Sequence, residues 1–192
     1  EVGLLKDVAE ELNEQFYTFH KKNRPFISLK AALSIDGKIS TSKNERTFLT
    51  GERAKKMTEI LRSRHQGILV GSGTIKVDDP NLGLTMVEGK EPLRIILGKE
   101  SKIKKDAKIF RDQSFLIIEN SNLKEVMKKC YEMGIISIFV EGGHEIFSSF
   151  IKENFVDRYY FYIAPKILGK EALDFTNIES PVSLKFESVQ KL

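Results

Sequence analysis

The sequence predicts an α/β fold with a largely parallel central sheet flanked by helices, and three observations support this prediction. Short apolar runs typical of buried strands alternate with segments of helical periodicity along most of the chain. Residues 135–150 give an apolar strand, an acidic residue, two glycines and an amphipathic helix, in that order. The chain has 192 residues, 41% of them hydrophobic, which suits one domain with a sizeable core.

The helices and strands follow from apolar periodicity along the chain. Apolar residues at helical spacing predict one amphipathic helix over residues 4–20. A second helix is expected over residues 52–65 with Thr50 as its N-cap, and a third runs from Leu123 to a stop at Gly134. A fourth begins near Ile146. The predicted strands span residues 26–33, 67–70, 93–97, 115–118, 135–140, 159–163 and 184–189.

Several connections have their own signals. Asp36-Gly37 predicts a hairpin turn after the first strand, and residues 71–74 form a glycine turn after another strand. The spacing of those glycines does not fit a dinucleotide-binding fingerprint, because the third glycine position holds Lys76. The lysine-rich segment 99–108 is expected to be a solvated loop.

Composition narrows the class of protein. The net charge is +4 with a pI near 9.0, which suits a small anionic ligand. The basic residues form no long tract, so nucleic acid is not an expected partner, and no apolar run is long enough for a membrane span. The single cysteine excludes an internal disulfide and suits a reducing compartment, so we expect a cytoplasmic protein.

The metal-binding residues are too few for a zinc deaminase. Such a site needs a His/Cys/Cys or Cys₃ set with a general-acid glutamate, whereas this chain has one cysteine and three histidines in no such arrangement. We therefore expect no metal and no deaminase activity. Cys130 falls on the apolar face of its helix and is interpreted as a core residue.

Three charged residues stand out, although each also has a purely structural interpretation. Lys30 lies inside an apolar strand, where it could also reach solvent at a sheet edge. Arg62 lies in the last turn of a helix, where it could simply complement the helix dipole. Glu141 ends a strand before Gly142-Gly143, and this turn could expose helix N–H groups to a phosphate or be a plain strand-to-helix connection.

Five ordered motifs together resemble the reductase domain of the bifunctional deaminase/reductase of riboflavin biosynthesis. The motifs are R-P-F-I-S-L-K-A-A-L-S-I-D-G-K-I (24–39), L-R-S-R-H-Q-G-I-L-V-G-S-G-T-I-K-V-D-D-P (61–80), P-L-R-I-I-L (92–97), F-V-E-G-G (139–143) and Y-I-A-P-K-I-L-G (162–169). The resemblance covers about residues 23–190. It divides the chain into a linker helix (1–22) and a reductase domain (23–192), and Glu1 in place of methionine suggests a fragment whose deaminase half would lie upstream.

The resemblance implies a dihydrofolate-reductase-like fold, usually dimeric, and NADPH-dependent reduction of a ribosylamino-pyrimidine phosphate to its ribitylamino form. It places Lys30, Arg62 and Glu141 at substrate-binding positions, with Leu82 beside the substrate. Lys30, Asp78 and Glu141 are the implied catalytic residues. The implied cofactor positions are Ala32, Phe48, Thr74, Asp78, Gly142, Gly143, His144, Glu145 and Ile146. The last four begin a cofactor segment that continues to Ser149.

The chain departs from the family pattern at two places near the substrate phosphate. Arg46 stands where many members have serine, and Thr85 stands where many have arginine. Arg46 is therefore the candidate to replace the missing arginine as a substrate-binding residue.

The residue types fit the implied chemistry. A lysine and a carboxylate near the sugar can move protons while the ribose opens, and an arginine can hold a phosphate bidentately. Two rival functions remain at this level: a pterin reductase of the same fold and a non-catalytic nucleotide-binding module. The identity of the pyrimidine, deaminated or diamino, is open.

Overall fold

The fold is a six-stranded parallel sheet with helices on both faces, as the sequence predicts. The computed structural model describes residues 3–43, 45–119 and 122–191. Its helices are α1 (Lys6–Leu12), α2 (Glu14–Lys22), α3 (Glu52–Ser63), α4 (Ser72–Asp78), α5 (Leu123–Glu132) and α6 (His144–Lys152). Its strands are β1 (Phe26–Ser34), β2 (Lys38–Ser40), β3 (Gly67–Gly71), β4 (Leu93–Leu97), β5 (Phe115–Ile118), β6 (Ser137–Val140), β7 (Arg158–Ala164) and β8 (Leu173–Asp174).

The strand order is β5-β4-β3-β6-β1-β7, and every pair in this sheet is parallel. Alternate side chains of the strands enter two core clusters, one on each face. One cluster joins the sheet to α5 and α6, and the other joins it to α3 and α4. The helices that connect β1 to β4 therefore lie on one face of the sheet, and the helices that connect β5 to β7 lie on the other.

The prediction of a single helix over residues 4–20 is wrong, because the helix is interrupted at Asn13. The side-chain amide of Asn13 donates to the carbonyl of Ala9 (2.9 Å), and its backbone leaves the helical region (φ −114°, ψ 23°). Asparagine competes in this way with helix hydrogen bonding. α1 and α2 replace the expected helix, and no residue of α1 is buried.

Two other predicted boundaries differ from the structure. Gly51, not Thr50, is the N-cap of α3. The glycine turn expected at 71–74 is instead the direct start of α4, whose N-cap is Gly71. In both places the capping residue is a glycine with extended backbone, which the side-chain-based N-cap signal does not detect.

The predicted hairpin after β1 is also wrong. The turn itself forms, with Gly37 at φ +76° donating to the carbonyl of Ser34 (3.0 Å). However, β2 pairs antiparallel with β8 rather than with β1. β1 pairs with its parallel neighbours β6 and β7, and β8 supplies the antiparallel partner of β2.

Two segments change class relative to the sequence prediction. The lysine-rich segment 99–108 holds a 3₁₀ helix (Glu100–Lys102) and buries Ile103 and Ala107 in the core beside α3 and α4. The strand expected at 184–189 is absent, and these residues are irregular and exposed. A strand needs a neighbour to pair its backbone groups, and within the described ranges no strand pairs with this segment.

Cys130 is fully buried on α5, and burial raises the pKa of its thiol to about 11. We expect a thiol reagent to leave the folded protein unlabelled and to label one cysteine after unfolding, because the thiolate is the reactive form. Cys130→Ala should lower the free energy of unfolding by roughly 1 kcal/mol through a small cavity. Urea titration measures this loss, and rapid labelling of the native thiol would contradict the core assignment.

Candidate active site

The topology of the sheet identifies where a ligand should bind. β3 and β6 are neighbours, but β3 continues into α4 on one face and β6 into α6 on the other. In open parallel sheets, ligands bind beyond the carboxyl ends of strands at such a switch point. The end of β6, with Glu141 and its two glycines, lies at this position.

Arg62 and Glu141 form a bidentate ion pair there. Arg62 Nε donates to Glu141 Oε1 (2.5 Å), and Arg62 Nη2 donates to Glu141 Oε2 (3.1 Å). Their side chains are only 15% and 13% exposed. The backbone N–H of Glu141 also donates to the carbonyl of Leu69 (3.0 Å), which continues the strand pairing. The carboxylate is therefore fixed by both backbone and side chain.

Lys30 lies on β1, beside β6, with its side chain on the same face of the sheet as α3. Its Nζ is 5.2 Å from the centre of the Tyr162 ring, and the residue is partly buried. Within residues 3–43, 45–119 and 122–191, the ammonium has no hydrogen-bond or ion-pair partner within contact distance. Its N–H donors are therefore free for a ligand.

The charges of these three residues are coupled. Burial lowers the pKa of Lys30, while the Glu141 carboxylate opposes this shift and Arg62 adds to it. For Glu141, burial alone would raise the pKa, but the charges of Arg62 and Lys30 lower it overall. The Glu141 carboxylate thus stays ionised, and the N–H donors of Arg62 and Lys30 near it suit an anionic ligand.

Arg62 has less free hydrogen-bonding capacity than the sequence suggests. Besides its two bonds to Glu141, it donates through Nη1 to the carbonyl of Gly83 (3.0 Å). An arginine has five N–H groups, so two remain for a ligand. The Gly83 contact also places the neighbouring Leu82, which is buried at φ +54°, next to the cluster.

Several implied cofactor residues meet at the start of α6. A Cβ added to Gly143 would lie 3.4 Å from Thr74 Oγ1, and one added to Gly142 would lie 2.5 Å from Ile146 Cβ. Gly142 is thus required by packing. Gly143 has ordinary extended backbone (φ −101°, ψ −171°), so its backbone conformation does not require glycine, and only the space that a ligand needs would do so. No side chain caps this helix end, and its first N–H groups face the turn.

The next two side chains of α6 have other partners. The Nδ1 atom of His144 is 2.8 Å from the carbonyl oxygen of Asp174. Glu145 lies 3.6 Å from the ammonium of Lys43 at an exposed position. A ligand at this turn would therefore meet their backbone N–H groups more readily than their side chains.

Arg46, Phe48 and Asp78 form a separate group. The Arg46 guanidinium lies over the Phe48 ring, 4.6 Å from its centre, and its Nη1 donates to the backbone carbonyl of Asp78 (3.0 Å). Burial raises the pKa of Asp78, and Arg46 opposes this shift. In the part of the chain that the structure describes, no hydrogen bond or ion pair joins this group to Lys30 or Glu141, so its substrate and catalytic roles stay predictions.

Sequence reasoning missed Glu59 and Tyr162. Glu59 lies one helical turn before Arg62 and is 2% exposed, and its carboxylate accepts hydrogen bonds from Thr85 and Met86. The Tyr162 hydroxyl is buried without a hydrogen-bond partner in the described residues and lies beside Lys30. An acidic residue on the inner face of α3 was the available signal for Glu59. Ala32 is paired with Tyr162 in the β1–β7 register, two residues beyond Lys30.

Metal-ligand clusters and membrane spans are both absent from residues 3–43, 45–119 and 122–191. No group of three or more His, Cys, Asp or Glu side chains within these ranges is arranged to hold a metal ion. None of the helices described for residues 3–43, 45–119 and 122–191 combines the length and apolarity needed to cross a bilayer.

A family model and two relatives of this chain point to the same protein family. Residues 25–192 match the family model described as the RibD C-terminal domain. The riboflavin biosynthesis protein RibD of Aquifex aeolicus is 33% identical, with 100% of this chain and 62% of that protein covered. RibD of Bacillus amyloliquefaciens is 32% identical, with 87% of this chain and 53% of that protein covered. The chain thus spans a little over half the length of these relatives.

Solved structures agree. A Thermotoga maritima protein described as a diaminohydroxyphosphoribosylaminopyrimidine deaminase/5-amino-6-(5-phosphoribosylamino)uracil reductase superposes with a TM-score of 0.81 at 27% identity, covering 94% of this chain and 57% of that one. Acinetobacter baumannii RibD gives a TM-score of 0.86 at 24% identity, with 95% and 58% covered. These likenesses confirm the dihydrofolate-reductase-like α/β fold.

Proposed function

The chain belongs to the RibD C-terminal domain family, and from this premise we propose that it is an NADPH-dependent reductase of riboflavin biosynthesis. Its reaction would convert the ribosyl group of a 5-amino-6-ribosylamino-pyrimidine 5'-phosphate into the ribityl group. The observation that carries the proposal is the cluster in which Lys30, with free N–H donors, lies beside the Arg62–Glu141 pair at the switch point of the sheet.

Lys30 is proposed to move the proton while the sugar opens, and Glu141 to stabilise the charges around it. Opening leaves C1' as an electrophilic iminium carbon, and the ring oxygen gains a proton to become the 4'-hydroxyl. A lysine whose pKa is lowered by burial gives up a proton more readily than a solvated one. Glu141 holds Arg62 and stabilises the positive charge near C1', while the two remaining N–H groups of Arg62 are proposed to bind the 5'-phosphate.

NADPH, when bound, would supply the hydride that C1' receives. The turn at Gly142-Gly143 fits such a cofactor, because the uncapped start of α6 presents backbone N–H groups and lies close to Thr74. Glycine at 143 leaves space for a pyrophosphate to approach the backbone. Ala32, Phe48, Asp78, His144, Glu145 and Ile146 complete the proposed cofactor surface.

Gly143→Val is expected to weaken NADPH binding at least about tenfold and to leave substrate binding nearly unchanged, because the branched side chain would fill the approach to the α6 N–H groups. Gly51→Val is the matched control, since Gly51 caps α3 with the same extended backbone (φ −87°, ψ −169°). Calorimetric titration measures both ligands. Equal weakening of NADPH and substrate by Gly143→Val would indicate a general loss of structure.

The direct test of the proposed function is NADPH absorbance in the presence of each ribosylamino-pyrimidine phosphate, deaminated and diamino. Oxidation that depends on one of these substrates is the expected result. NADPH oxidation with a dihydropterin instead, or with neither pyrimidine, would reject the proposal.

Two properties of the assembly are part of the proposal. The longer relatives support a bifunctional deaminase/reductase in which these residues are the reductase part. A cytoplasmic homodimer remains the expectation from the family, and sedimentation of the purified chain would test the dimer.

A further inference from the structure

Residues 79–92 connect α4 to β4 without a helix or strand, and they reach the proposed active site. The carbonyl of Gly83 in this loop accepts a hydrogen bond from Arg62 Nη1 (3.0 Å). Leu82 beside it is 4% exposed at φ +54°. The orientation of Arg62 therefore depends on two partners, Glu141 on the sheet and the backbone of this loop.

Glu59 binds the middle of the same loop from α3. Its Oε2 accepts from the backbone N–H groups of Thr85 (2.7 Å) and Met86 (2.6 Å), and its Oε1 accepts from Thr85 Oγ1 (2.8 Å). A buried carboxylate is tolerated only with such partners. Burial alone would raise the pKa of Glu59, but the hydrogen bonds from Met86 and Thr85 and the charge of Arg62 lower it overall, so the group stays ionised.

Arg111 makes further contacts to the same loop. The Arg111 guanidinium bonds the side chains of Asn81 and Glu91, and Glu91 Oε1 also accepts from the backbone N–H of Leu84 (3.3 Å). Arg111 thus links Asn81 to Glu91, and Glu59 ties Thr85 and Met86 to α3. Glu59 and Arg62 lie three residues apart on one helix, so both contact the loop from a single rigid element.

We propose that Glu59 is a positioning residue of the substrate site, which fixes the 79–92 loop so that Gly83 orients Arg62 and Leu82 lies beside the substrate. This inference rests on the proposed reductase function. It also gives Thr85 a role: where many family members have arginine, this chain uses a threonine to bind the anchoring carboxylate. A displaced loop would leave Arg62 with one partner and a wider range of orientations, which weakens binding of a ligand that needs fixed geometry.

Glu59→Gln in the full chain is the main test, because glutamine keeps the shape but turns an NH₂ group toward backbone N–H donors. Hydrogen exchange at the amides of Thr85 and Met86 should become faster. KM for the phosphorylated pyrimidine should rise about tenfold or more, while the Kd for NADPH stays unchanged. Thr85→Val removes only the hydroxyl contact and should shift KM in the same direction by a smaller factor, which keeps the test valid if Glu59→Gln folds poorly.

Asp157→Asn is the matched control. Asp157 is also a largely buried carboxylate that accepts from a backbone N–H, that of Ile27 (3.0 Å), and from Arg24 (2.6 Å), but it lies outside the site. This variant should lose stability without a rise in KM. Faster exchange at Thr85 and Met86 with unchanged KM, or an equal rise in KM and in the NADPH Kd, overturns the inference. A wild-type chain that oxidises no NADPH overturns the proposed function itself, and the inference with it.

Discussion

Replacement of Lys30 by methionine is expected to lower kcat by about 10²–10⁴-fold, the usual contribution of a positioned proton-transfer group, without reducing the stability of the fold. The ammonium has free donors among the described residues and lies beside Glu141, so its removal takes away proton transfer during sugar opening. Substrate binding should change less than kcat, because this interaction grows in the transition state.

The stability expectation follows from the sign of the pKa shift. Burial lowers the pKa of Lys30 in the folded state below its value of about 10.4 in the unfolded chain. At pH values between these two pKa values, the unfolded chain binds more protons than the folded protein does. Stability from this group therefore rises with pH across that window, and at neutral pH Lys30 is a net cost to the stability of the fold. Lys30→Met should be as stable as the wild type or more stable. Its free energy of unfolding should also rise less with pH than that of the wild type.

Urea titrations at several pH values and NADPH absorbance measure the two effects. Lys38→Met is a suitable control, because Lys38 is a largely buried lysine whose charged partner is Asp174 (2.6 Å) and not a member of the cluster. The control should leave kcat unchanged and lose some stability. A Lys30→Met variant with nearly normal kcat would show that Lys30 takes no part in proton transfer.

Arg62→Ala is expected to have the second largest effect, and to act on both stability and binding. It leaves the largely buried Glu141 without its bidentate partner, which should cost about 3–5 kcal/mol in the free energy of unfolding. It also removes the charge-assisted hydrogen bonding to the 5'-phosphate, worth roughly 1.5–3 kcal/mol, so KM should rise by about 10–100-fold. A second substitution can separate the effect of Arg62→Ala on stability from its effect on KM.

The double variant Arg62→Ala/Glu141→Gln should recover part of the lost stability, because no unpaired carboxylate remains, but KM should stay high. Glu141→Gln alone should weaken substrate binding and leave NADPH binding nearly intact. Comparing phosphorylated with dephosphorylated substrate completes the cycle. If Arg62→Ala affects both substrates equally, Arg62 orients Glu141 and the loop but does not bind the phosphate.

Local patterns predicted the sheet well because each buried strand is a short apolar run bounded by turn residues. They failed where structure depends on a distant partner. The pairing of β2 with β8 joins segments far apart in sequence, and the segment 184–189 has strand periodicity but pairs with no strand within the described ranges. The break at Asn13 was missed for another reason, since apolar spacing ignores a side chain that bonds its own helix.

The candidate site shows the same division. Spacing alone could not join Lys30, Arg62 and Glu141, and the family resemblance supplied that grouping, which the structure then placed in one cluster. The contact of Glu59 with Thr85 spans 26 residues of sequence and leaves no periodic signal. Arg46 was predicted to bind the substrate because of its charge. In the structure it contacts Phe48 and Asp78 instead of the cluster, so charge alone did not predict its neighbours.

The most direct test of the central claim is transfer of the hydride itself. The protein is incubated with the ribosylamino-pyrimidine phosphate and NADPH deuterated at the transferred position of the nicotinamide, and the product is analysed by mass spectrometry and NMR. The account predicts a ribityl product with one deuterium at C1', formed by the wild type and greatly reduced in Lys30→Met. A wild-type chain that forms no ribityl product from either pyrimidine, or a product without deuterium at C1', would contradict it.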